Sequence, residues 1–279
     1  MTPEYWFVAL DVPEDEAEDR GAEMFELGAT GVEQRDQGTL VAGTPGAVTL
    51  VVSFDSREDA EAALASIDPG FSPRIERLVG DAWRDEYKKW FHPFRICPGV
   101  VIRPPWEEAT DVRPIEKILI LEPGRAFGTG LHETTSLVCE ILSERKIEGP
   151  ILDVGCGSGI LGLVGMVLGA SKVRAVDVDA DAIEVAKENA ARNGLAIEAD
   201  TTDVAKLSGT WPIVLANIQA DVLVRMAKTL EARLAPKGLL VLSGILSTQE
   251  PEVRAAYGAL EHLETRNKGD WVAIAYRKT

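Results

Sequence analysis

The sequence is short of the residues that build disulfide frameworks and metal centres. Its 279 residues include only three cysteines, Cys97, Cys139 and Cys156, and three histidines, all widely spaced. An odd number of distant cysteines gives neither a disulfide framework nor the paired spacing of a zinc site. Scattered histidines do not provide a ligand cluster either. We therefore expect no metal.

Long apolar runs are also missing, although 46% of the residues are hydrophobic. Nowhere do eighteen apolar residues follow one another, as a membrane-spanning helix requires. The opening residues, MTPEYWFVALDVPEDE, contain no basic segment followed by an unbroken apolar run. The length instead suggests two domains with a sizeable core. We expect a cytoplasmic protein that does not act on membranes.

Basic residues are outnumbered, with 29 Lys and Arg against 45 Asp and Glu and a formal net charge of −16. Residues 1–80 contain 17 acidic and 5 basic side chains, so this segment alone carries −12. An acidic surface repels phosphate backbones and attracts basic partners. We therefore expect a basic protein partner and no direct binding of nucleic acid. The other interpretation is an acidic face kept for solubility.

Residues 1–79 have the pattern of a small α+β domain. Runs typical of strands, such as YWFVALDV and VTLVVSF, alternate with two helix patterns, and Ser56 is the expected N-cap of the second helix. The order strand, helix, strand, strand, helix, strand predicts a ferredoxin-like domain.

Residues 80–106 are predicted as a linker. Four aromatic side chains fall on one face of a predicted helix, and Pro and Gly then interrupt two extended segments. The aromatic residues are Trp83, Tyr87, Trp90 and Phe91.

Residues 107–279 change to strands alternating with helices, which predicts an α/β domain wound around a parallel sheet. Six apolar runs are typical of strands buried on both faces: KILILEP, PILDVG, VRAVDV, AIEAD, IVLAN and LLVLSGI. The final stretch, HLETRNKGDWVAIAYRK, has two strand patterns around a turn at 268–270. The sheet should therefore end in an antiparallel hairpin.

The run ILDVGCGSGIL places Gly155, Gly157 and Gly159 between a predicted strand and a predicted helix. Glycines allow a tight turn and a close backbone approach, and a helix N-terminus presents unpaired N–H groups to a ligand. Asp177 ends the next strand, where such folds place a carboxylate on ribose hydroxyls. The pattern therefore indicates a ligand that contains a nucleoside.

Two cofactors fit this pattern. Gly157, Gly159 and Gly162 also satisfy the dinucleotide spacing G-x-G-x-x-G, which is typical of an NAD-dependent oxidoreductase. Asp153, two residues before Gly155, would be awkward beside a pyrophosphate but can accept hydrogen bonds around a positively charged methionyl ligand. The residues therefore favour S-adenosylmethionine over NAD.

The stretch FGTGLHETT at 127–135 precedes the glycine loop. Together, these two segments resemble motifs of known protein families. DVGCGSG with Asp177 resembles the cofactor motif of class I S-adenosylmethionine-dependent methyltransferases. FGTGLHETT, VLANIQADVL and LSGIL resemble motifs of the family that methylates ribosomal protein L11 of the large subunit. An acidic ferredoxin-like domain, a tryptophan-containing linker helix and a Rossmann-like methyltransferase domain follow in the same order, so the resemblance covers nearly the whole chain.

This resemblance implies roles for individual residues. FGTGLHETT becomes a ligand clamp that continues into a helix, with Thr134 or Thr135 near the helix start. His132 either orients this loop by a hydrogen bond or packs, and a direct role in proton transfer is the less favoured alternative. Phe127, Gly128 and Thr129 would form a lid over the cofactor. The residues expected at the cofactor are Phe127, Gly128, Thr129, Thr135, Asp153, Gly155, Gly157, Asp177 and Asn217.

Asn217 is also the candidate catalytic residue. Its side-chain carbonyl, with the backbone carbonyl of Ile218, can accept the N–H groups of an amine and direct the lone pair at the methyl group. The other interpretation is a strand-end asparagine that caps the helix starting near Gln219. Methyl transfer needs alignment, desolvation and a neutral amine rather than a catalytic triad.

We expect N-methylation of lysine side chains, the N-terminal amine, or both, on ribosomal protein L11 that is free of ribosomal RNA. The acidic N-terminal domain would attract this basic substrate. The alternatives are a lysine methyltransferase that acts on a different protein and, with less support, the NAD-dependent oxidoreductase.

Overall fold

The computed structural model describes residues 4–13, 16–35, 47–54, 56–79, 91–122, 128 and 130–279. The chain divides into two compact units, Met1–His92 and Pro93–Thr279. Within the described residues, every helix is too short or too polar to cross a membrane. The sequence pattern placed the start of the second domain at 107, whereas residues 93–106 belong to the second unit because their strands pair within it.

The first unit is a four-stranded antiparallel sheet with two helices. Its strands lie in the order β2, β3, β1, β4, and its helices and strands follow one another along the chain in the order that the sequence pattern predicted. The elements are β1 (Glu4–Val12), α1 (Ala17–Glu26), β2 (Gly31–Arg35), β3 (Val48–Phe54), α2 (Arg57–Ser66), a 3-10 turn (Pro69–Phe71) and β4 (Arg74–Val79).

Local sequence explains the helices of this unit. Ser56 caps α2 as predicted, because its side chain accepts a hydrogen bond from the backbone N–H of Asp59. Ala60 and Ala63 of α2 pack on the strand residues, and Met24 does so from α1. Phe25 of α1, by contrast, is 55% exposed.

A three-stranded sheet opens the second unit. It contains β5 (Phe94–Cys97), β6 (Val100–Arg103) and β7 (Lys117–Ile120), with β5 and β6 antiparallel and β6 and β7 parallel. The strand KILILEP was expected in the main parallel sheet, and that prediction was wrong. It pairs with β6, and the side chain of Asn193 both accepts from the backbone N–H of Ile120 and donates to its carbonyl, each at 2.7 Å.

The main sheet has seven strands in the order β10, β9, β8, β11, β12, β14, β13. The first five are parallel, and β14 and β13 form the predicted antiparallel hairpin. Its strands are β8 (Pro150–Val154), β9 (Lys172–Val176), β10 (Glu198–Asp200), β11 (Trp211–Asn217), β12 (Leu234–Leu246), β13 (Glu261–Lys268) and β14 (Trp271–Arg277). The helices are α3 (Glu133–Ser143), α4 (Ile160–Val167), α5 (Ala180–Arg192), α6 (Ala220–Arg233) and α7 (Glu250–Ala256).

The two edges of this sheet differ. β10 is only three residues long. β13 carries alternating charges, and Glu264 and Arg266 form ion pairs with each other and with Arg145 and Glu144 after α3. Lys268, at the end of β13, donates to the hydroxyl of Ser136 on α3. The edge strand is therefore tied to α3, the helix that begins within FGTGLHETT.

The predicted linker helix lies mostly outside the described residues. Of its four aromatic side chains, only Phe91 is described, and it is fully buried. The linker helix itself remains a prediction.

Candidate active site

The loop between β8 and α4 carries the three glycines of the sequence motif. Gly155 has φ 67°, and a Cβ at this position would lie 2.3 Å from Cγ2 of Ile218. A side chain is therefore excluded where this loop approaches the end of β11. Asp177, at the end of β9, accepts a hydrogen bond from the backbone N–H of Gly157 at 2.9 Å and thereby fixes the loop against the neighbouring strand.

Asp153 is fully buried beneath the loop. Its Oδ2 accepts from the backbone N–H of Gly162 at 2.9 Å, and its Oδ1 has no hydrogen-bond partner among the described residues. Burial raises the pKa of Asp153 from its usual 3.8 to about 7, although the hydrogen bond from Gly162 lowers it. Gly162 lies against Val173 and Asp153, where a Cβ would be 2.8 Å from Val173 Cγ1, so it serves helix packing.

The start of α3 fixes the polar residues of HETT. His132 is the N-cap, and its Nδ1 accepts from the backbone N–H of Thr134 and shares a 2.8 Å hydrogen bond with the Thr134 hydroxyl. Its ring also lies edge to face on Trp271, with 4.8 Å between centroids. His132 therefore both orients the loop and packs, the two roles between which its sequence could not decide.

Asn217 ends β11 and points its amide at the same helix start. Its Nδ2 donates to the hydroxyls of Thr134 at 3.2 Å and Thr135 at 3.4 Å. Helix α6 is capped at Gln219 without a side-chain hydrogen bond, so the interpretation of Asn217 as a helix cap was wrong. With its nitrogen held by two hydroxyls, the amide presents its carbonyl oxygen on the opposite side.

Glu122 and Gly128, two described residues near the predicted lid, are each held by hydrogen bonds. The hydroxyl of Ser158 in the glycine loop donates to the carbonyl of Gly128 at 2.6 Å. The buried amide of Asn189 on α5 accepts from the backbone N–H of Glu122 and donates to the carbonyl of Ser158. The predicted lid residues Phe127 and Thr129 lie outside the described part of the chain.

These elements surround a cavity of about 900 Å³ at the carboxyl ends of the parallel strands. Of the residues expected at the cofactor, Gly155, Gly157, Asp177 and Asn217 line it. Thr135 and Asp153 do not line it, because both are fully buried, Thr135 against Asn217 and Asp153 beneath the loop. The other lining residues are His132, Thr134, Val154, Val176, Val178, Thr201, Thr202, Asp203, Val204, Ala205, Ile218, Gln219, Val222, Met226, Thr229, Gly244 and Trp271.

One wall of the cavity follows β10. Thr201, Thr202 and Asp203 line it, whereas Asp200 pairs with Arg174 at 2.7 Å, which holds the pKa of this carboxyl well below its usual range. Val178, directly after Asp177, is almost fully exposed.

Sequence reasoning missed the contributions of α6 and β14. Val222, Met226 and Thr229 of α6 line the cavity at helical spacing, beside the buried residues of the same helix, and Met226 also packs against the core. Nothing in the local pattern distinguished Trp271, which follows the hairpin turn.

Buried thiols do not take part in this arrangement. Cys156 lies in the glycine loop, yet burial raises the pKa of its thiol far above the usual range. Burial likewise raises the pKa of Cys97 to about 11. These side chains act as small apolar residues.

The strand order, the glycine loop after β8 and the acidic residue after β9 define the class I S-adenosylmethionine-dependent methyltransferase fold. A family model described as Ribosomal protein L11 methyltransferase (PrmA) matches residues 4–279. The chain therefore belongs to the ribosomal protein L11 methyltransferase family.

Individual relatives agree with this assignment. A ribosomal protein L11 methyltransferase of Sorangium cellulosum is 48% identical over 99% of this chain and 97% of its own length. One from Pelobacter propionicus is 40% identical over 100% and 99% of the two chains. The crystal structure of a ribosomal protein L11 methylase from Lactobacillus delbrueckii subsp. bulgaricus matches with a TM-score of 0.64 and 31% identity, over 68% of this chain and 100% of that chain. The oxidoreductase alternative is therefore wrong.

Proposed function

We propose that the protein transfers methyl groups from S-adenosylmethionine to amino groups of ribosomal protein L11. The observation that carries this proposal is the fixed amide of Asn217. Two threonine hydroxyls hold its nitrogen, so its carbonyl oxygen is available to an incoming amine in the cavity that the glycine loop borders.

The cavity fits the cofactor chemically. Gly155 and Gly157 bring the backbone to its wall, and Asp177 supplies a carboxylate for ribose hydroxyls. Val178 and Val204 offer apolar surface for the base, beside the hydroxyls of Thr201 and Thr202. Asp153 does not reach the cavity wall, and we propose that it supports the site from beneath, where its Oδ2 accepts a hydrogen bond from the backbone N–H of Gly162. Phe127, Gly128 and Thr129 are proposed to cover the bound cofactor.

When bound, S-adenosylmethionine would supply a methyl group on a positive sulfur, and its transfer would replace the C–S bond with an N–C bond to the amine. Asn217 accepts an N–H of the amine and so directs its lone pair. Apolar walls of the cavity lower the pKa of the amine and favour its neutral form. The proton that remains on the product nitrogen leaves to solvent. Thr135 acts through Asn217 as a positioning residue.

The acidic first unit is proposed to recruit the substrate. Residues 1–80 carry a net charge of −12, which attracts a basic ribosomal protein. We propose that the substrate is L11 before it binds ribosomal RNA, because direct contact with nucleic acid would be repulsive. The protein would then work in the cytoplasm, where ribosomal proteins are made. A different basic protein is the alternative substrate.

Mass spectrometry of unmethylated L11 incubated with the protein and S-adenosylmethionine tests the proposal. We expect mass gains in steps of one methyl group, slowed on the order of 100-fold by Asn217→Ala because the amine loses its alignment. Asn267→Ala, an exposed asparagine on β13, is the control and should leave the rate unchanged. If L11 gains no mass while S-adenosylmethionine binds, the proposed substrate is wrong and other basic proteins should be tried.

A further inference from the structure

Asn189 is a fully buried polar side chain on α5 that does not line the cavity. Its amide oxygen accepts from the backbone N–H of Glu122 and from the guanidinium of Arg192, each at 3.2 Å. Its amide nitrogen donates to the backbone carbonyl of Ser158 at 3.1 Å. One buried amide therefore joins three parts of the chain, namely α5, the glycine loop and the end of the segment that contains β7.

Ser158 extends this connection to the FGTGLHETT segment. Its hydroxyl donates to the carbonyl of Gly128, and a Cβ on Gly128 would lie 2.9 Å from the oxygen of this hydroxyl. Gly130 lies equally close to its neighbours, because a Cβ there would be 2.7 Å from Cδ1 of Ile160, the first residue of α4. These two glycines therefore pack directly against the glycine loop and the helix that follows it.

The glycine loop is held from two sides by one strand and the helix that follows it. Asp177, which ends β9, accepts from a backbone N–H of the loop, and Asn189 on α5 donates to the carbonyl of Ser158. Helix α5 also contacts the loop between these points, since a Cβ on Gly159 would lie 3.0 Å from Cβ of Ala186. Of these holding side chains, Asp177 lines the cavity and Asn189 does not.

A loop that is fixed before the ligand arrives binds it without having to be ordered. Gly155 and Gly157 of this loop line the cavity. If the loop were released from its partners, it would have to be ordered on binding, and this lowers affinity. Loss of the Asn189 amide should therefore weaken cofactor binding more than it slows the transfer step, which depends on Asn217.

We propose that Asn189 is a positioning residue for the cofactor site, which acts through Ser158 and holds the glycine loop and the FGTGLHETT segment together. This inference rests on the proposed function, because it takes the cavity as the site of S-adenosylmethionine. Asn189 contributes to affinity for the cofactor and not to the chemistry of methyl transfer.

The test compares Asn189→Ala with Asn193→Ala, a matched control at the end of the same helix. The Asn193 side chain also forms three hydrogen bonds, two to the backbone of Ile120 and one to the carbonyl of Asn189, and none of them reaches the glycine loop. Calorimetry with S-adenosylhomocysteine measures affinity without a protein substrate. We expect Asn189→Ala to bind this probe roughly 10-fold more weakly than the wild type, and Asn193→Ala to bind it as the wild type does.

Steady-state methylation of L11 separates positioning from a general loosening of the fold. Both α5 variants should melt at a lower temperature than the wild type, since each leaves backbone groups without partners. Well below these transitions, Asn189→Ala should raise KM for S-adenosylmethionine and leave kcat nearly unchanged, whereas Asn217→Ala should lower kcat. If Asn189→Ala does not fold, Asn189→Asp replaces it, because a carboxylate keeps the acceptor for Glu122 and Arg192 and removes the donor to Ser158.

Ser158→Ala tests the link to Gly128. This variant keeps the backbone carbonyl that Asn189 holds and loses the hydroxyl. We expect it to bind S-adenosylhomocysteine more weakly than the wild type, and Ser158→Thr, which keeps a hydroxyl, to bind more tightly than Ser158→Ala.

Three results would overturn the proposal: unchanged probe binding by Asn189→Ala, an equal loss of binding in Asn193→Ala, or a lower kcat of Asn189→Ala with unchanged KM. If L11 is not methylated but the variants bind the probe as expected, the proposed substrate fails and the positioning role stands. If L11 is methylated and all variants bind the probe alike, the positioning role fails and the proposed function stands.

Discussion

At the scale of single residues, the site depends on polar groups that are buried among apolar ones. Asp153, Asn189 and Thr135 are all fully buried, and each forms a hydrogen bond with a neighbouring part of the site. Such groups are costly to bury unless they are paired, so their positions are strongly constrained. Asp153 is the exception, since only one of its two oxygens has a hydrogen-bond partner in the part of the chain that the structure describes.

Asp153→Asn should therefore change how stability depends on pH. Because burial raises the pKa of Asp153 to about 7, the folded protein holds this proton more tightly than the unfolded chain does. The protonated Asp153 therefore contributes to the free energy of unfolding. This contribution is fully present below pH 3.8, the usual pKa, and is lost as the pH rises through about 7. At roughly 1.4 kcal/mol per pKa unit, the loss amounts to ~4 kcal/mol.

We expect the melting temperature of Asp153→Asn, relative to the wild type, to be higher at pH 8.5 than at pH 5.5, because the amide has no charge to bury. Thermal denaturation of the cofactor-free proteins measures this difference. Asp181→Asn, at an exposed position on α5, should show no such change. A melting difference that is the same at both pH values would show that Asp153 does not titrate in this range.

Residue types near the motifs could be predicted, but their contacts could not. Gly155, Asp177 and Asn217 were recognisable because short motifs fix them in the sequence. Thr134 and Thr135 are 83 and 82 residues from Asn217 along the chain, so the hydrogen bonds between their hydroxyls and the Asn217 amide depend on folding. Trp271 reaches the cavity only because β14 lies beside β12 in the sheet.

At the scale of secondary-structure elements, an irregularity in β12 shapes the end of the site. The pairing of β12 with β14 shifts between Leu242 and Ile245, which places Ser243 and Gly244 in a bulge. The Ser243 hydroxyl donates to the carbonyl of Val272, and Gly244 has φ 81°. The carbonyl of Ile218, the proposed partner of Asn217 in holding the amine, lies directly against this glycine.

Gly244→Ala should abolish most methyl transfer. A Cβ at this position would lie 2.4 Å from the carbonyl oxygen of Ile218, so the end of β11 must move. The matched control is Gly209→Ala, whose φ of 89° is equally unfavourable for alanine but whose Cβ would meet no atom within 4 Å. Initial rates on L11 and melting temperatures should be measured together for both variants.

Both substitutions should lower the melting temperature, since both force alanine to a positive φ. Only Gly244→Ala should lower the methylation rate of the protein that remains folded. Similar rates for the two variants would mean that the position of the Ile218 carbonyl does not matter for transfer.

Most elements of the second unit could be predicted, because apolar runs buried on both faces alternate with helix patterns. The exceptions have physical causes. KILILEP has the apolar pattern of a strand of the main sheet, but it pairs with β6 instead. Because Pro and Gly residues surround β6, the sequence pattern assigned it to the linker and not to a sheet. Helix α7, only seven residues long, was too short to show a periodic pattern.

At the scale of the whole molecule, each unit has a core of its own. Val8, Leu10 and Leu50 belong to the core of the first unit, and Val214, Leu240 and Leu242 belong to that of the second. The acidic excess lies in the first unit, whereas the described residues that line the cavity all belong to the second. Substrate recruitment and cofactor binding are therefore separable in principle.

Deletion of residues 1–92 should remove methylation of L11 and leave binding of S-adenosylmethionine intact. Circular dichroism checks that residues 93–279 fold, calorimetry measures cofactor binding, and mass spectrometry measures methylation. For the full chain, activity on L11 should fall as ionic strength rises, since screening weakens attraction to the acidic unit. A truncated protein that methylates L11 as fast as the full chain would disprove the recruiting role.

The two edge strands of the seven-stranded sheet determine whether another polypeptide chain can pair with the sheet. An unpaired edge strand is a template on which another chain can add itself, and this is a common route to aggregation. Here one edge, β10, is too short to offer such a template, and the other, β13, is crossed by ion pairs to the end of α3. Neither edge therefore favours pairing with the backbone of another chain, including an extended tail of the substrate. Recognition of the substrate must then depend on side-chain contacts and charge.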